Sequence, residues 1–343
     1  MRFSVYIPLY NAEHYISETI ESVLSQEYSD FELLIVNDGS KDNSLAIAKA
    51  YAEKDNRIRI ITQENKGLFH TRLTAFSNVK GDYVLSLDAD DRLKKNALKS
   101  LSEIIDKNSN LDMIMFRFER FDGNSMHSKS RIVFENGKCF TPDNIKELYD
   151  KVLNCDYLNS VCFKLVRREC LQDFEALKNF PRIAMAEDRI HTLNILPNIK
   201  NAYYSDEVLY DYRYTPSSMS NKFEKGFFGW HKIVFSEMKR FCERISYEDT
   251  EGVVRRYCAI KLTKLTTYSA SQVHGSREGY REYREMLREI FNDEDARYMI
   301  TCPDMPIVYK IPLKMMELKQ ENMMLLYKLI CERLRLIKDK LKK

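Results

Sequence analysis

The chain has 343 residues, 44% of them hydrophobic and 31% charged, with a formal net charge of +3. That length suits two globular domains that can each bury a core, and so slight a positive excess excludes a chain-wide polyanion binder and argues against nucleic acid as a partner. Eight scattered cysteines, with no CxxC pair and no Cys/His ligand spacing, fit a reducing, cytoplasmic setting rather than a disulfide framework.

The chain opens on a short apolar run, Phe3–Pro8, which predicts a buried parallel strand. No charged leader precedes it, and no segment approaches the ~20 apolar residues that span a bilayer. Ser17–Gln26 carries Ile20, Val23 and Leu24 at helical spacing, and Phe31–Val36 predicts a second strand ending at Asn37-Asp38-Gly39-Ser40. Ser40–Asp55 follows as a helix, Ile58–Thr62 as a strand, Gly67–Val79 as a helix and Tyr83–Leu87 as a fourth strand running into Asp88-Ala89-Asp90-Asp91. Strand and helix alternating in this way predict an α/β fold with a mostly parallel sheet flanked by helices, with ligands at the carboxyl ends of its strands.

Asp112–Phe118 reads as a further strand, and the polar stretch Gly123–Lys138 as a surface excursion. Leu148–Leu171 and Asp188–Ile195 read as helical, and Leu209–Tyr214 as a short aromatic strand before the loop Thr215–Asn221. Beyond residue 222 the pattern changes to long charged amphipathic helices, with Pro303, Pro306 and Pro312 as the few breakers. The expected division is therefore a catalytic domain over 1–221, with a nucleotide half (1–115) and an acceptor half with a lid (116–221), and a helical region over 222–343.

Two acidic clusters close two of the strands. Asp38 follows Leu33-Leu34-Ile35-Val36, and Asp88, Asp90 and Asp91 follow Tyr83–Leu87. Strand alternation would set Asp88 and Asp90 on one side of an extended backbone. Converging carboxylates suit a hard divalent ion, Mg²⁺ or Mn²⁺. Taken alone, Asp38-Gly39-Ser40 reads as well as a turn, and Asp88–Asp91 reads as a helix N-cap. Their order and their place at strand ends favour a site.

Val5-Tyr6-Ile7-Pro8-Leu9-Tyr10-Asn11, Ile20–Gln26, Val36-Asn37-Asp38-Gly39-Ser40 with Asp42, Asn65-Lys66-Gly67, Arg72, Gly81-Asp82-Tyr83 and Asp88–Asp91 together resemble the family 2 glycosyltransferases, inverting enzymes of the GT-A fold common in bacterial polysaccharide biosynthesis. The resemblance is dense over 1–115. It continues more sparsely to about residue 220 through Lys164-Leu165, Arg167-Arg168, Glu187-Asp188 and Tyr212-Arg213. Leu73 departs from it, because the family usually follows its Arg with Asn.

The resemblance implies a UDP-sugar donor and a glycan or lipid-linked glycan acceptor. Pro8, Tyr10 and Asp38 would form the base pocket, Asp88 and Ala89 would lie along the donor, and Asp90 would bind the metal. Arg72 or Lys66 would reach the diphosphate, and Tyr212-Arg213 with Ser217–Ser220 would belong to a lid over it. Asp188 would be the general base that deprotonates the acceptor hydroxyl. Without the family, Ala186-Glu187-Asp188 is an ordinary acidic helix start, and His191 is either a ligand contact or, more simply, a satisfied core histidine.

Ile330, Leu334, Ile337 and Leu341 recur at helical spacing among Arg and Lys residues. A basic amphipathic helix over 330–343 can lie peripherally on an anionic membrane surface, or dock on its own domain or on a second copy in a homodimer. Two other function classes compete with sugar transfer. A sugar-1-phosphate nucleotidyltransferase would need a Gly-rich basic phosphate loop, and Pro8–Tyr15 has neither glycine nor lysine. A non-catalytic carbohydrate-binding or scaffold protein would have little use for both acidic clusters.

Overall fold

The computed structural model describes residues 1–108, 110–122, 125–172, 174–214, 226–272, 277–300, 307–319, 322–324 and 326–327. The chain divides into two compact units, Met1–Pro216 and Ser217–Lys343.

The first unit begins as the hydrophobic runs dictate. β1 (Phe3–Leu9), α1 (Ile16–Leu24), β2 (Phe31–Asn37), α2 (Ser44–Ala52), β3 (Ile58–Thr62), α3 (Leu68–Phe76) and β4 (Tyr83–Ser86) follow in strict alternation. Every residue of β1 and β2 is buried, as continuous apolar strands covered on both faces must be. β1 pairs in parallel with β2 from Phe3↔Phe31 to Leu9↔Asn37, and with β4 from Phe3↔Tyr83 to Tyr6↔Ser86. Gly81 makes that second pairing possible, since a Cβ there would sit 2.5 Å from the backbone carbon of Phe3. No larger residue fits so close a backbone approach.

After β4 come β5 (Arg92–Leu93), α4 (Ala97–Lys107), β6 (Met113–Phe121), β7 (Met126–Lys129), β8 (Lys138–Phe140), α5 (Ile145–Asn154), β9 (Lys164–Arg167), α6 (Glu187–Ile195) and β10 (Ala202–Arg213). The strand order along the sheet is β3-β2-β1-β4-β9-β6-β10-β5, with β7 on β6 and β8 on β10. β10 runs parallel to β6, whereas β9 is antiparallel to both β4 and β6. The α/β fold with a mostly parallel sheet flanked by helices is thus present, with one antiparallel strand set into its middle.

That strand corrects the helix expected over Leu148–Leu171. The α-helix covers only Ile145–Asn154, burying Ile145, Leu148, Tyr149, Val152 and Leu153 at helical spacing, and single 3-10 turns follow at Asp156–Asn159 and Arg168–Cys170. Cys162, Phe163, Lys164, Leu165 and Val166 are all buried, so the stretch has no periodicity to separate strand from helix. Helix α4 was not apparent in the sequence reading, although Ala97, Leu98, Leu101 and Ile104 line its buried face. β7 lies within the expected surface excursion, and all four of its residues are exposed.

The second unit is helical where described. It contains α7 (Phe227–Arg244), α8 (Thr250–Gln272), α9 (Arg277–Asn292), α10 (Glu294–Ile300) and α11 (Ile307–Glu317), the last with Pro312 inside it. Val234, Met238 and Phe241 of α7, Val254 and Cys258 of α8, and Tyr283, Leu287 and Ile290 of α9 are buried there. Lys232 pairs with Asp293 at 2.5 Å. The loop Thr215–Asn221 and the basic tail 330–343 lie outside the described residues. Among the described residues no helix is long and apolar enough to cross a membrane, and the six described cysteines are free thiols.

Candidate active site

The carboxyl ends of β1, β2 and β4 meet on one edge of the sheet. Pro8 lies buried in β1 opposite Val36, and Tyr10, just past the strand, is 48% exposed. Asn11 takes a left-handed φ of 48°, which Asn tolerates better than most residues. Its N–H donates to Ser40 Oγ at 3.2 Å, and its Oδ1 accepts from the Lys41 N–H at 2.8 Å. The two sequence motifs at the ends of β1 and β2 are thereby interlocked.

Asp38 is buried and accepts three hydrogen bonds of 2.8 Å, from the Lys66 and Gly67 N–H groups and from Gln63 Nε2. Gly67, at φ 87°, supplies the left-handed backbone that lets this turn enter α3. The Lys66 contact is made by its backbone, and its side chain is exposed. A carboxylate has about four lone-pair positions, so Asp38 keeps acceptor capacity beyond this turn.

After β4 the backbone turns instead of staying extended. The Asp91 N–H donates to the Asp88 carbonyl at 3.1 Å, closing a turn over Ala89 and Asp90. The expected strand alternation of Asp88 and Asp90 is therefore replaced by turn geometry. The capping alternative falls as well, because α4 begins at Ala97 with Asn96 before it.

The end of β10 holds the turn in place. Tyr210 Oη donates to Asp91 Oδ2 at 2.7 Å, and the Arg213 N–H donates to Asp91 Oδ1 at 2.7 Å. Arg213 Nε donates to the Asp90 carbonyl at 2.6 Å, and its Nη2 pairs with Glu18. Its guanidinium also lies 4.3 Å over the Phe121 ring and 5.0 Å over that of Tyr15. Arg213 is consequently spent on bracing the acidic turn. Tyr212 packs its ring near Phe118, with centroids 5.6 Å apart. Ser217–Ser220 of the expected lid are outside the described residues.

Arg72 is the electrostatic centre of the site. Its side chain is 1% exposed, and its terminal nitrogens reach Asp188 Oδ1 at 2.6 Å, Asp88 Oδ1 at 3.2 Å and Glu187 Oε1 at 3.3 Å. A guanidinium so enclosed by three carboxylates serves as their counter-ion, which leaves it poorly placed for a diphosphate. Glu187 and Asp188 open α6 behind Ala186, whose φ of 63° turns the chain into the helix. Burial, then neighbouring Asp188, pushes the Glu187 carboxyl up to about 7. Burial also raises Asp188, while Arg72 pulls it back down. Burial, then Asp88, pushes Asp90 up to about 6.

His191 lies in the core. It is fully buried, stacked on Phe69 at 4.6 Å and edge-on to Phe76 at 5.4 Å, and its ring approaches the Phe69 backbone without a well-formed hydrogen bond. Burial drives its pKa well below the usual value, so the ring is neutral.

No group of three or more His, Cys, Asp or Glu side chains is arranged to hold a metal among the described residues. Asp90 nonetheless suits a hard cation. Its carboxylate has no ion-pair partner among the described residues and is raised by Asp88 beside it. An oxygen donor next to a second carboxylate is the kind of site that completes its coordination with substrate phosphates.

Sequence reasoning missed Asp91, Tyr210 and Glu18 as supports of the turn. Asp91 lay within a recognised cluster, and its complete burial alone separates it from Asp90. No local pattern marked the other two.

A sheet whose parallel strand ends carry two tethered acidic turns, faced by the acidic start of a helix, has the arrangement in which open α/β proteins bind ligands at the carboxyl edge. Residues 4–174 match the model of glycosyl transferase family 2, and the first unit, which holds that whole stretch, is of that family. It is 31% identical over 217 residues to the uncharacterized glycosyltransferase EpsJ of Bacillus subtilis, covering 63% of this chain and 62% of EpsJ. It is 28% identical over 240 residues to TuaG of the same organism, a protein named for glycosyl transfer in teichuronic acid biosynthesis, covering 69% of this chain and 88% of TuaG. Thus the match spans less than two thirds of EpsJ's own length, and against the glycosyltransferase GlyG of Streptococcus pneumoniae it spans 41%. The fold is like that of S. aureus TarS solved with UDP-GlcNAc, at a TM-score of 0.66 and 20% identity, covering 97% of this chain and 92% of that one.

Proposed function

We propose that the chain is an inverting glycosyltransferase that moves a hexosyl or N-acetylhexosaminyl group from a UDP-sugar to a hydroxyl of a glycan or lipid-linked glycan acceptor. The observation that carries this reading is the convergence of Asp88 and Asp188 on one buried Arg72 at the strand ends. It brings the acidic turn after β4 and the acidic start of α6 to the same place. Tyr10 offers an exposed aromatic face for a base, and Asp38 fixes the loop beside it.

Asp188 takes the proton from the acceptor hydroxyl as that oxygen attacks the anomeric carbon from the face opposite the leaving UDP. Arg72 keeps Asp188 ionised in a buried setting and fixes its direction. Asp90, with Asp88 beside it, would hold Mn²⁺ or Mg²⁺, which neutralises charge developing on the diphosphate. The name of TuaG supports a place in polysaccharide synthesis, and that of EpsJ supports glycosyl transfer.

Calorimetric titration of UDP with and without Mn²⁺ tests the donor half. Metal-dependent binding to the wild type, lost in Asp90→Ala, supports it. No binding of UDP, GDP or dTDP by a folded protein would point instead to a binding module.

A further inference from the structure

We propose that a cavity on the outer side of α3 is a subsite for an anionic group, phosphate or carboxylate, of the acceptor chain. That the anionic group belongs to an acceptor rests on the glycosyltransferase reading. The cavity measures about 630 Å³, within the ~300–1,000 Å³ typical of ligand sites.

Its lining combines Lys66, Lys178 and Arg182 with His70 and neutral polar groups such as Asn65 and Thr74, and no carboxylate lines it among the described residues. Three cations facing one concavity repel one another, and an anion bound between them relieves that repulsion. Arg182 has no carboxylate partner among the described residues. Lys178 pairs at 2.5 Å with Glu175, whose side chain is 85% exposed. So exposed a pair contributes little, and an incoming anion can displace it.

The walls are fixed rather than loose. His70 Nε2 lies 3.0 Å from the Phe180 carbonyl oxygen, and the Phe180 ring stacks on Phe69 at 5.9 Å. Phe180 is thus tied to α3 twice, with Lys178 and Arg182 two residues to either side. The Arg182 side chain lies across Gly67, where a Cβ would come within 3.2 Å of its Nε. Gly67 is also the residue whose N–H holds Asp38. The cavity therefore shares a wall with the turn beside Asp38, and its other wall leads within six residues to Asp188. Charge-assisted bonds to the Arg and Lys side chains would set the register of an extended anionic chain lodged there.

The test titrates the full-length protein at low salt with three oligomers of equal length: a polyol phosphate, a uronic acid and a neutral glucan. The wild type is compared with Lys178→Glu/Arg182→Glu, and with Lys49→Glu/Lys54→Glu as a charge-matched control on the exposed surface of and just beyond α2. The expected result is binding of an anionic oligomer but not of the neutral one. Affinity should fall at least about tenfold in the cavity variant alone. The two anionic arms tell phosphate from carboxylate. UDP binding, measured in parallel, should stay unchanged in every variant. Equal losses in both variants, equal binding of neutral and anionic oligomers, or no anion binding at all would overturn the subsite. Loss of UDP binding in the wild type with the oligomer pattern intact would strike the donor reading and leave the subsite standing.

Discussion

Arg72 Nη1 lies 2.6 Å from Asp188 Oδ1 at the start of α6, and through the same guanidinium Asp188 is linked to Asp88, a hundred residues earlier just past the end of β4. One buried cation thus sets both the charge and the direction of the acidic groups gathered around it. Removing it should be costly in two separable ways. Arg72→Leu would leave three clustered, partly exposed carboxylates without their counter-ion, at a cost of about 1–3 kcal/mol of stability by urea unfolding. Arg72→Lys keeps the charge but loses the fork, and should fold. With the carboxylate less well held, its pKa rises and the acidic limb of the transfer pH profile moves to higher pH. An unmoved limb with a lower plateau would assign Arg72 to packing alone.

Glu187 gives a stability signature of its own. Its carboxyl stands at about 7 in the folded protein against 4.5 ordinarily. Between those values the folded chain keeps a proton that the unfolded chain has released, so stability falls as pH rises through that window. Below about 4.5 both states are protonated and the penalty vanishes. Urea midpoints at pH 5, 6 and 7 should fall less steeply for Glu187→Gln than for the wild type, and parallel slopes would contradict this assignment.

The brace on the acidic turn can be cut at a single atom. Tyr210→Phe removes the Oη that donates to Asp91 at 2.7 Å and leaves a fully buried carboxylate short of a partner. The expected cost is about 1–3 kcal/mol in stability. Metal-dependent UDP binding should weaken with it, because Asp90 sits on the same turn.

His191 offers the opposite outcome. Two buried ring nitrogens with no well-formed hydrogen bond cost about 1–3 kcal/mol relative to an apolar side chain that fits the same space. His191→Leu should raise the unfolding midpoint and leave UDP binding as it was. Loss of UDP binding in a folded His191→Leu protein would return the residue to the site.

Much of the first unit was legible because β1, β2, β3 and β4 are short apolar runs separated by helical spacing and polar turns. β9 was illegible for the same reason that it is central: Phe163, Leu165 and Val166 are buried on both faces, which erases periodicity. The acidic clusters stood out because they close strands. The role of Arg72 did not, since its partners lie 16, 115 and 116 residues away in sequence. The bonds of Arg213 to Asp90 and Asp91, separated by 123 and 122 residues, are equally invisible to local pattern. A basic residue near a phosphate motif therefore reads as a phosphate contact until its burial among carboxylates is seen.

The most direct measurement of the proposed chemistry is UDP release from a panel of UDP-sugars by wild type and Asp188→Asn, with UDP binding determined on the same samples. Asparagine keeps the shape and the acceptor oxygen facing Arg72 but cannot take a proton. If Asp188 is the base, UDP binding stays within error of the wild type while UDP release falls by about 10²–10⁴-fold. Release at the wild-type rate by Asp188→Asn would contradict the assignment and move the search for the base to another carboxylate.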